Sequence, residues 1–196
     1  MNEMQTLFTE YGATDRSNLI QYNQHMLDRH LVAVGYADSA RGLRASYTAQ
    51  PWDDVILLPF LFLWRQTIEL QLKIVVKDLA TLRRLDGDLG PEFESDKVDA
   101  RLQNPRLVGH KLDKLTAEML EHVAALGLQE NPAETIQTHA LLGALDNGGT
   151  GFRYAGVLNV PSADIDFKGL ADALDNAYRL LEVVSDAATH GEGVGS

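Results

Sequence analysis

The stretch DDVILLPFLFLWRQTIELQLKIVVKDLATLRR, residues 53–84, decides the fold. Gln50-Pro51-Trp52 interrupts the chain before it, and Asp53 and Asp54 supply acidic groups where a helix N-terminus favours negative charge. The pattern predicts a helix from there to about Arg84. Pro59 is tolerable only near its first turns or as a kink, because proline removes a backbone donor. As the longest and most apolar segment, this helix is expected at the centre of the fold. Its nearly unbroken apolar run, Val55 to Trp64, is about half of the roughly 20 residues that cross a bilayer. We therefore expect a core helix and no membrane anchor.

Working outward, Leu19, Ile20, Met26, Leu27, Leu31, Val32 and Val34 recur at three- and four-residue offsets, predicting a helix from Ser17 as N-cap to about Tyr47. Gly35 and Gly42 are candidate breaks in it. Further helices are expected at His110 to Leu126, at Pro132 to Leu145 with Asn131 as cap and Pro132 in the first position, and at about Lys168 to Ala188. The last carries Leu170, Leu174, Ala177, Leu180, Leu181 and Val184 on one face. Leu85 to Gly109, rich in Asp, Gly and Pro, reads as a long acidic loop with a short helical turn at Lys97 to Leu102. Asn147-Gly148-Gly149-Thr150-Gly151 ends the fourth helix, and Phe152 to Phe167 reads as a short extended or hairpin segment. The expectation is one all-α domain over residues 1–190, a helical bundle, followed by a flexible Gly/Ser tail at 191–196.

Composition sets limits on function. A chain of 196 residues with 45% hydrophobic and 23% charged residues is ordinary for a globular domain. It has no cysteine, which excludes disulfides, thiolate zinc sites and cysteine nucleophiles. Met1 to Thr6 has neither a basic nor an apolar region of the kind that opens a secretion signal, so a cytoplasmic location is expected. The net charge of −11 repels phosphates over the surface as a whole, so any RNA or nucleotide must meet a local basic groove. Part of the excess lies in residues 85–99, where Asp86, Asp88, Glu92, Glu94, Asp96 and Asp99 face only Lys97. That run suits a solvated loop, a surface that mimics nucleic acid, or a docking patch for a protein partner.

Three places can carry chemistry. Arg65, Glu69, Lys73 and Lys77 follow one another at four-residue steps along the central helix. The spacing suits a solvated stripe of ion pairs, and equally a groove where Arg65 and Lys73 meet phosphate while Glu69 orients them. His110, directly after Gly109, can serve as acid or base near neutral pH, or simply cap a helix. Arg153 and Tyr154 follow the glycine-rich turn, which can hold a guanidinium and a phenol at a fixed place, or be a plain turn with its aromatics on the core. That turn matches neither the P-loop nor the dinucleotide fingerprint, and no cofactor is expected. The other histidines, His25, His30, His122, His139 and His190, form no ligand pattern, so no metal is expected.

Taken in order, three motifs resemble the HEPN superfamily of prokaryotic defence, toxin and RNA-processing systems. They are Arg65-Gln66-Thr67-Ile68-Glu69-Leu70-Gln71-Leu72-Lys73, Gly109-His110-Lys111-Leu112-Asp113-Lys114-Leu115 and Phe152-Arg153-Tyr154. The resemblance spans about Pro59 to Ala188. It implies a HEPN-like helical bundle that works as a homodimer, binds RNA or nucleotides in phage defence or toxin–antitoxin settings, and in some members cuts RNA without a metal. Carried onto this chain, it points to His110 and Arg153 as catalytic and to Arg65, Glu69, Lys73 and Tyr154 as substrate-binding. The chain departs from the ribonucleases in one respect: their Arg followed by four to six residues and then His is absent, Arg106 and His110 being separated by three. The alternative is a non-catalytic acidic protein that docks and regulates a partner effector.

Overall fold

Residues 53–84 do form the spine of the molecule. In the structure, a computed structural model that describes residues 28–129, 132–146, 148–149, 151–153 and 164–190, the central helix α2 spans Leu57–Leu85. A 3-10 turn, Pro51–Ile56, leads into it. The Asp53 carboxylate accepts hydrogen bonds from the Thr48 amide at 2.7 Å, the Thr48 hydroxyl at 2.8 Å and the Gln50 amide at 3.1 Å, which hold its carboxyl below the usual range. Pro59 falls in the first turn of α2, where its missing N–H has no helical partner to lose.

The other helices are α1 (Arg29–Ser46), α3 (Ser95–Gln103), α4 (Leu112–Ala125), α5 (Ala133–Leu145) and α6 (Phe167–His190), and no strand occurs among the described residues. The architecture is all-α. α2 packs against α1, α4 and α6 at once, and α5 closes the side between α4 and α6. Burial on several sides explains why α2 reads as almost wholly apolar. With its leading turn, α2 is long and apolar enough to cross a bilayer, yet half of its most apolar window is buried against its neighbours.

The core runs along α2 through Phe60, Trp64, Ile68, Leu72, Val75, Val76 and Leu79. α4 adds Leu112, Leu115, Met119 and Val123, and α6 adds Leu174, Ala177, Tyr178 and Leu181. The Phe60 ring centroid lies 4.7 Å from that of Phe167, and Trp64 lies 6.2 Å from Tyr178, so aromatic contacts seam α2 to α6. Arg41 and Arg44 of α1 pair with Asp175 and Asp172 of α6 at 2.7 Å and 2.5 Å.

Several expectations change. The first helix is capped by the Asp28 side chain and runs unbroken through Gly35 and Gly42; Ser17 lies outside the described residues. Its buried face is alanine, Ala33, Ala37 and Ala40, rather than the larger Leu31, which is 48% exposed. Small side chains let the α1 backbone approach α2 closely. Second, the acidic stretch is less loop than expected: α3 fills 95–103, because Val98 and Leu102, one turn apart, reach the core. Its charges are partly tied down, Asp88 to Arg83 at 2.5 Å and Asp99 to Lys77 at 2.7 Å, while the Arg83 guanidinium lies 4.0 Å over the Phe93 ring. Asp86, Glu92, Glu94 and Asp96 stay exposed.

Third, α4 begins at Leu112, leaving His110 in the turn before it. Gly109 has φ of +50°, and a Cβ there would fall 2.5 Å from the Pro105 Cα, so the chain can turn here only with glycine. Fourth, Gly151–Arg153 is a short 3-10 turn where an extended segment was expected to begin, and residues 154–163 lie outside the described residues. Pro132 stands at the N-cap of α5 rather than at its first position; Asn131, its expected cap, and the tail 191–196 also lie outside the described residues.

Candidate functional site

Arg65, Glu69 and Lys73 project from one face of α2, as four-residue spacing requires, but that face is not solvated. Arg65 has no exposed surface, Glu69 is 3% exposed and Lys73 8%. Only Lys77, the last of the four, reaches the surface, where it pairs with Asp99. The solvated stripe is thus corrected to a buried network of charge.

Glu69 is its hub. The Arg65 Nη1 donates to Glu69 Oε2 at 2.5 Å, and Lys73 Nζ donates to Oε1 at 2.8 Å. His110 brings its Nδ1 to the same Oε1 at 2.7 Å. Burial alone would push the Glu69 carboxyl up, but the ammonium of Lys73 and the guanidinium of Arg65 outweigh it and hold the carboxyl below its ordinary value. An ionised carboxylate can only accept, so Nδ1 of His110 must carry the proton. A neutral His110 is therefore the Nδ1–H tautomer, with its basic lone pair on Nε2. The side chain is 57% exposed, so the anchored edge faces inward and the basic edge faces solvent.

Arg65 organises the surroundings. Beyond Glu69, its Nη2 donates to the His110 carbonyl at 2.5 Å and its Nε to the Asp146 carbonyl at 3.2 Å, with the Asp146 carboxylate at 3.5 Å. Gly149 lies flat on the guanidinium: a Cβ built there would sit 3.1 Å from Cζ and both terminal nitrogens, and its φ of +73° suits glycine besides. One guanidinium thus ties together α2, the turn before α4, the end of α5 and the glycine-rich turn. The Asp146 carboxylate also accepts the Phe152 amide at 3.4 Å, extending the link to the residue beside Arg153. Asp146 draws no attention in the sequence, and Gly149 does so only as part of the run that ends a helix. Nothing local marks them as partners of a residue some 80 positions earlier in the chain.

Of the residues singled out, the structure brings Arg65, Glu69, Lys73 and His110 into one cluster. Arg65, expected at a phosphate, is instead fully buried and donates to protein acceptors. Arg153 is exposed, with its guanidinium 5.4 Å from the ring centre of Phe62. Phe62 is seven residues before Glu69 on α2, a separation of about 10 Å along the same face. Tyr154 lies outside the described residues. Among the described residues no group of three or more His, Cys, Asp or Glu is placed to hold a metal ion. The arrangement can hold a proton-accepting imidazole at the surface with its tautomer fixed from behind, and a separate exposed guanidinium sits over Phe62, about two turns along α2 from Glu69. Comparison with models of protein families, with curated proteins and with solved structures gave no match.

Proposed function

We propose that the chain is a HEPN-like helical module of a prokaryotic or phage-linked defence or toxin system that binds RNA or a nucleotide as a homodimer, and that His110 gives it metal-independent ribonuclease chemistry. The observation that carries this reading is the anchoring of His110 Nδ1 to buried Glu69 at 2.7 Å, which leaves Nε2 as an outward base. On an RNA strand, Nε2 takes the proton of a ribose 2′-hydroxyl as that oxygen bonds to the adjacent phosphorus. The bond from phosphorus to the 5′-oxygen breaks, and the proton then returns to that leaving oxygen. Arg153, exposed on the same side of α2 as Glu69, supplies positive charge for the phosphate. Arg65 and Glu69 act as positioning residues, since neither has surface to offer a ligand.

The test is cleavage and binding of labelled single-stranded RNA by the full chain, beside His110→Ala and Arg153→Ala preparations of equal purity. The reading expects cutting that His110→Ala abolishes while RNA binding survives, and binding that Arg153→Ala weakens. RNA neither bound nor cut, or cutting indifferent to His110→Ala, overturns it. A second reading, a non-catalytic regulator that docks a basic protein partner, draws on the exposed carboxylates of Asp86, Glu92, Glu94 and Asp96 in a chain of net charge −11. It gains ground if RNA is neither bound nor cut.

A further inference from the structure

Most cations of the chain are spent on carboxylates, as Arg41 is on Asp175 and Arg101 on Glu118. Among the described residues, Arg84, Arg106, Lys111, Lys114, Arg153 and Lys168 have no carboxylate within ion-pair distance. Supply is not the reason, since the chain carries 28 acidic residues. Arg84 lies about 22 Å beyond Glu69 along α2, and Lys168 is in the first turn of α6. Arg106, Lys111 and Lys114, however, flank His110 closely in the chain, with Asp113 the one carboxylate among them.

The turn between α3 and α4 holds these three together. The Leu107 amide donates to the Asn104 carbonyl at 3.1 Å, and the Lys111 amide to the Val108 carbonyl at 3.0 Å. The Asn104 side chain accepts the Arg106 amide at 2.9 Å, and buried Val108 and Leu112 fasten the turn to the core. Lys114 Nζ donates to the Leu107 carbonyl at 2.8 Å, which lays the ammonium against the turn one residue from Arg106. That oxygen is neutral, so the charge of Lys114 is not cancelled. Arg106 and Lys114 are exposed and Lys111 is half-buried. Like charges gathered in this way repel one another, and a polyanion relieves the repulsion.

We propose that Arg106, Lys111 and Lys114 are a phosphate track that holds the RNA strand beside the bond His110 cuts. The proposal rests on the reading of His110 given above and adds where the strand lies. The guanidinium of Arg106 suits two oxygens of one phosphate, while the lysines act as point charges on its neighbours. None of the three touches the reacting atoms; they are positioning residues. Glu92, Glu94 and Asp96 stand at the opposite end of α3, which is about 13 Å long, so the strand is drawn to one end of that helix and repelled from the other.

The experiment measures binding of a 2′-O-methyl RNA strand, which lacks the attacking hydroxyl, to the full chain over a salt series. Removing three phosphate contacts in the triple variant Arg106→Gln, Lys111→Gln, Lys114→Gln should flatten the slope of log affinity against log salt by about 2. The double variant Arg106→Gln, Lys111→Gln spares the Lys114 bond to the turn and should flatten it by about 1.4. Arg106→Lys keeps the slope, and Lys168→Gln, an unpaired cation elsewhere, leaves it unchanged. On cleavable RNA the triple variant raises KM about tenfold or more while kcat stays within about threefold. RNA bound and cut through His110 with an unchanged slope overturns this proposal alone. So does salt-sensitive self-association, lost in the triple variant, in place of a slope change on RNA. RNA that the native chain does not bind overturns both readings, and RNA bound but uncut, with the slope flattened by the variants, leaves the track standing and removes the nuclease chemistry.

Discussion

Replacing Glu69 by Gln tests the buried network, and its cost can be worked from the contacts. The substitution keeps the shape and removes the one negative charge that receives Arg65, Lys73 and His110. Two of the three donors can relax: His110 is mostly exposed, and Lys73, with 10% of its side chain exposed, can turn toward water. Arg65 cannot, because its side chain has no exposed surface and, once Glu69 is neutral, keeps the Asp146 carboxylate at 3.5 Å as its counter-charge beside the neutral carbonyls of His110 and Asp146. Breaking a buried ion pair from one side costs roughly 3–5 kcal/mol, and the two relaxing partners put this case near 3 kcal/mol. For a chain of this length that is a drop of about 6–12 °C in melting temperature. Urea unfolding with an unchanged slope measures it, with exposed Glu94→Gln as a control expected to stay within about 0.5 kcal/mol. A loss from Glu69→Gln below about 1 kcal/mol would refute the claim that Arg65 depends on Glu69.

Other expectations follow from the same geometry. Gly149→Ala puts a methyl group 3.1 Å from the Arg65 guanidinium at a φ of +73°, and should cost about 1–2 kcal/mol by thermal unfolding. Gly109→Ala meets the Pro105 backbone and should cost more. Burial pushes His139 down to about 4, and burial with the nearby charges of Arg83 and Arg101 pushes His122 down to about 4. Since the unfolded chain takes up these protons near pH 6.5 and the folded one does not, stability is full above that value and falls as pH drops toward about 4. The loss is about 3 kcal/mol for His139 and less for His122, read from urea midpoints on either side of pH ~6.5. Glu69 is held low, so its contribution survives above its unfolded value of about 4.3 and is lost only as pH falls through its lower folded value. Arg153→Ala leaves stability within about 1 kcal/mol, because an exposed guanidinium over one ring contributes little, while RNA affinity falls.

Helices α2, α4 and α6 are legible in the sequence because their apolar residues recur over several turns, and α5 because a proline and a glycine-rich run bracket it. The face of α1 is not, because the residues that bury are alanines and hydropathy favours its larger neighbours, such as Leu31. α3 is read too short because Val98 and Leu102 stand alone among charges. The site shows the same limit more sharply. A four-residue ladder of Arg65, Glu69 and Lys73 describes one face of a helix, but whether that face meets water is decided by His110, Asp146 and Gly149, all distant in the chain. His110 can be picked out as a titratable residue after a glycine, but its orientation cannot, since the Glu69 contact lies 41 residues away.

The most direct measurement is a histidine-selective 15N spectrum of the folded chain, recorded alone and with single-stranded RNA added. If Glu69 presents His110 to RNA, neutral His110 carries its proton on Nδ1 and its Nε2 signal moves as RNA binds; Glu69→Gln loses that tautomer preference. A proton on Nε2 in the free protein, or a His110 signal that RNA leaves in place, contradicts the account.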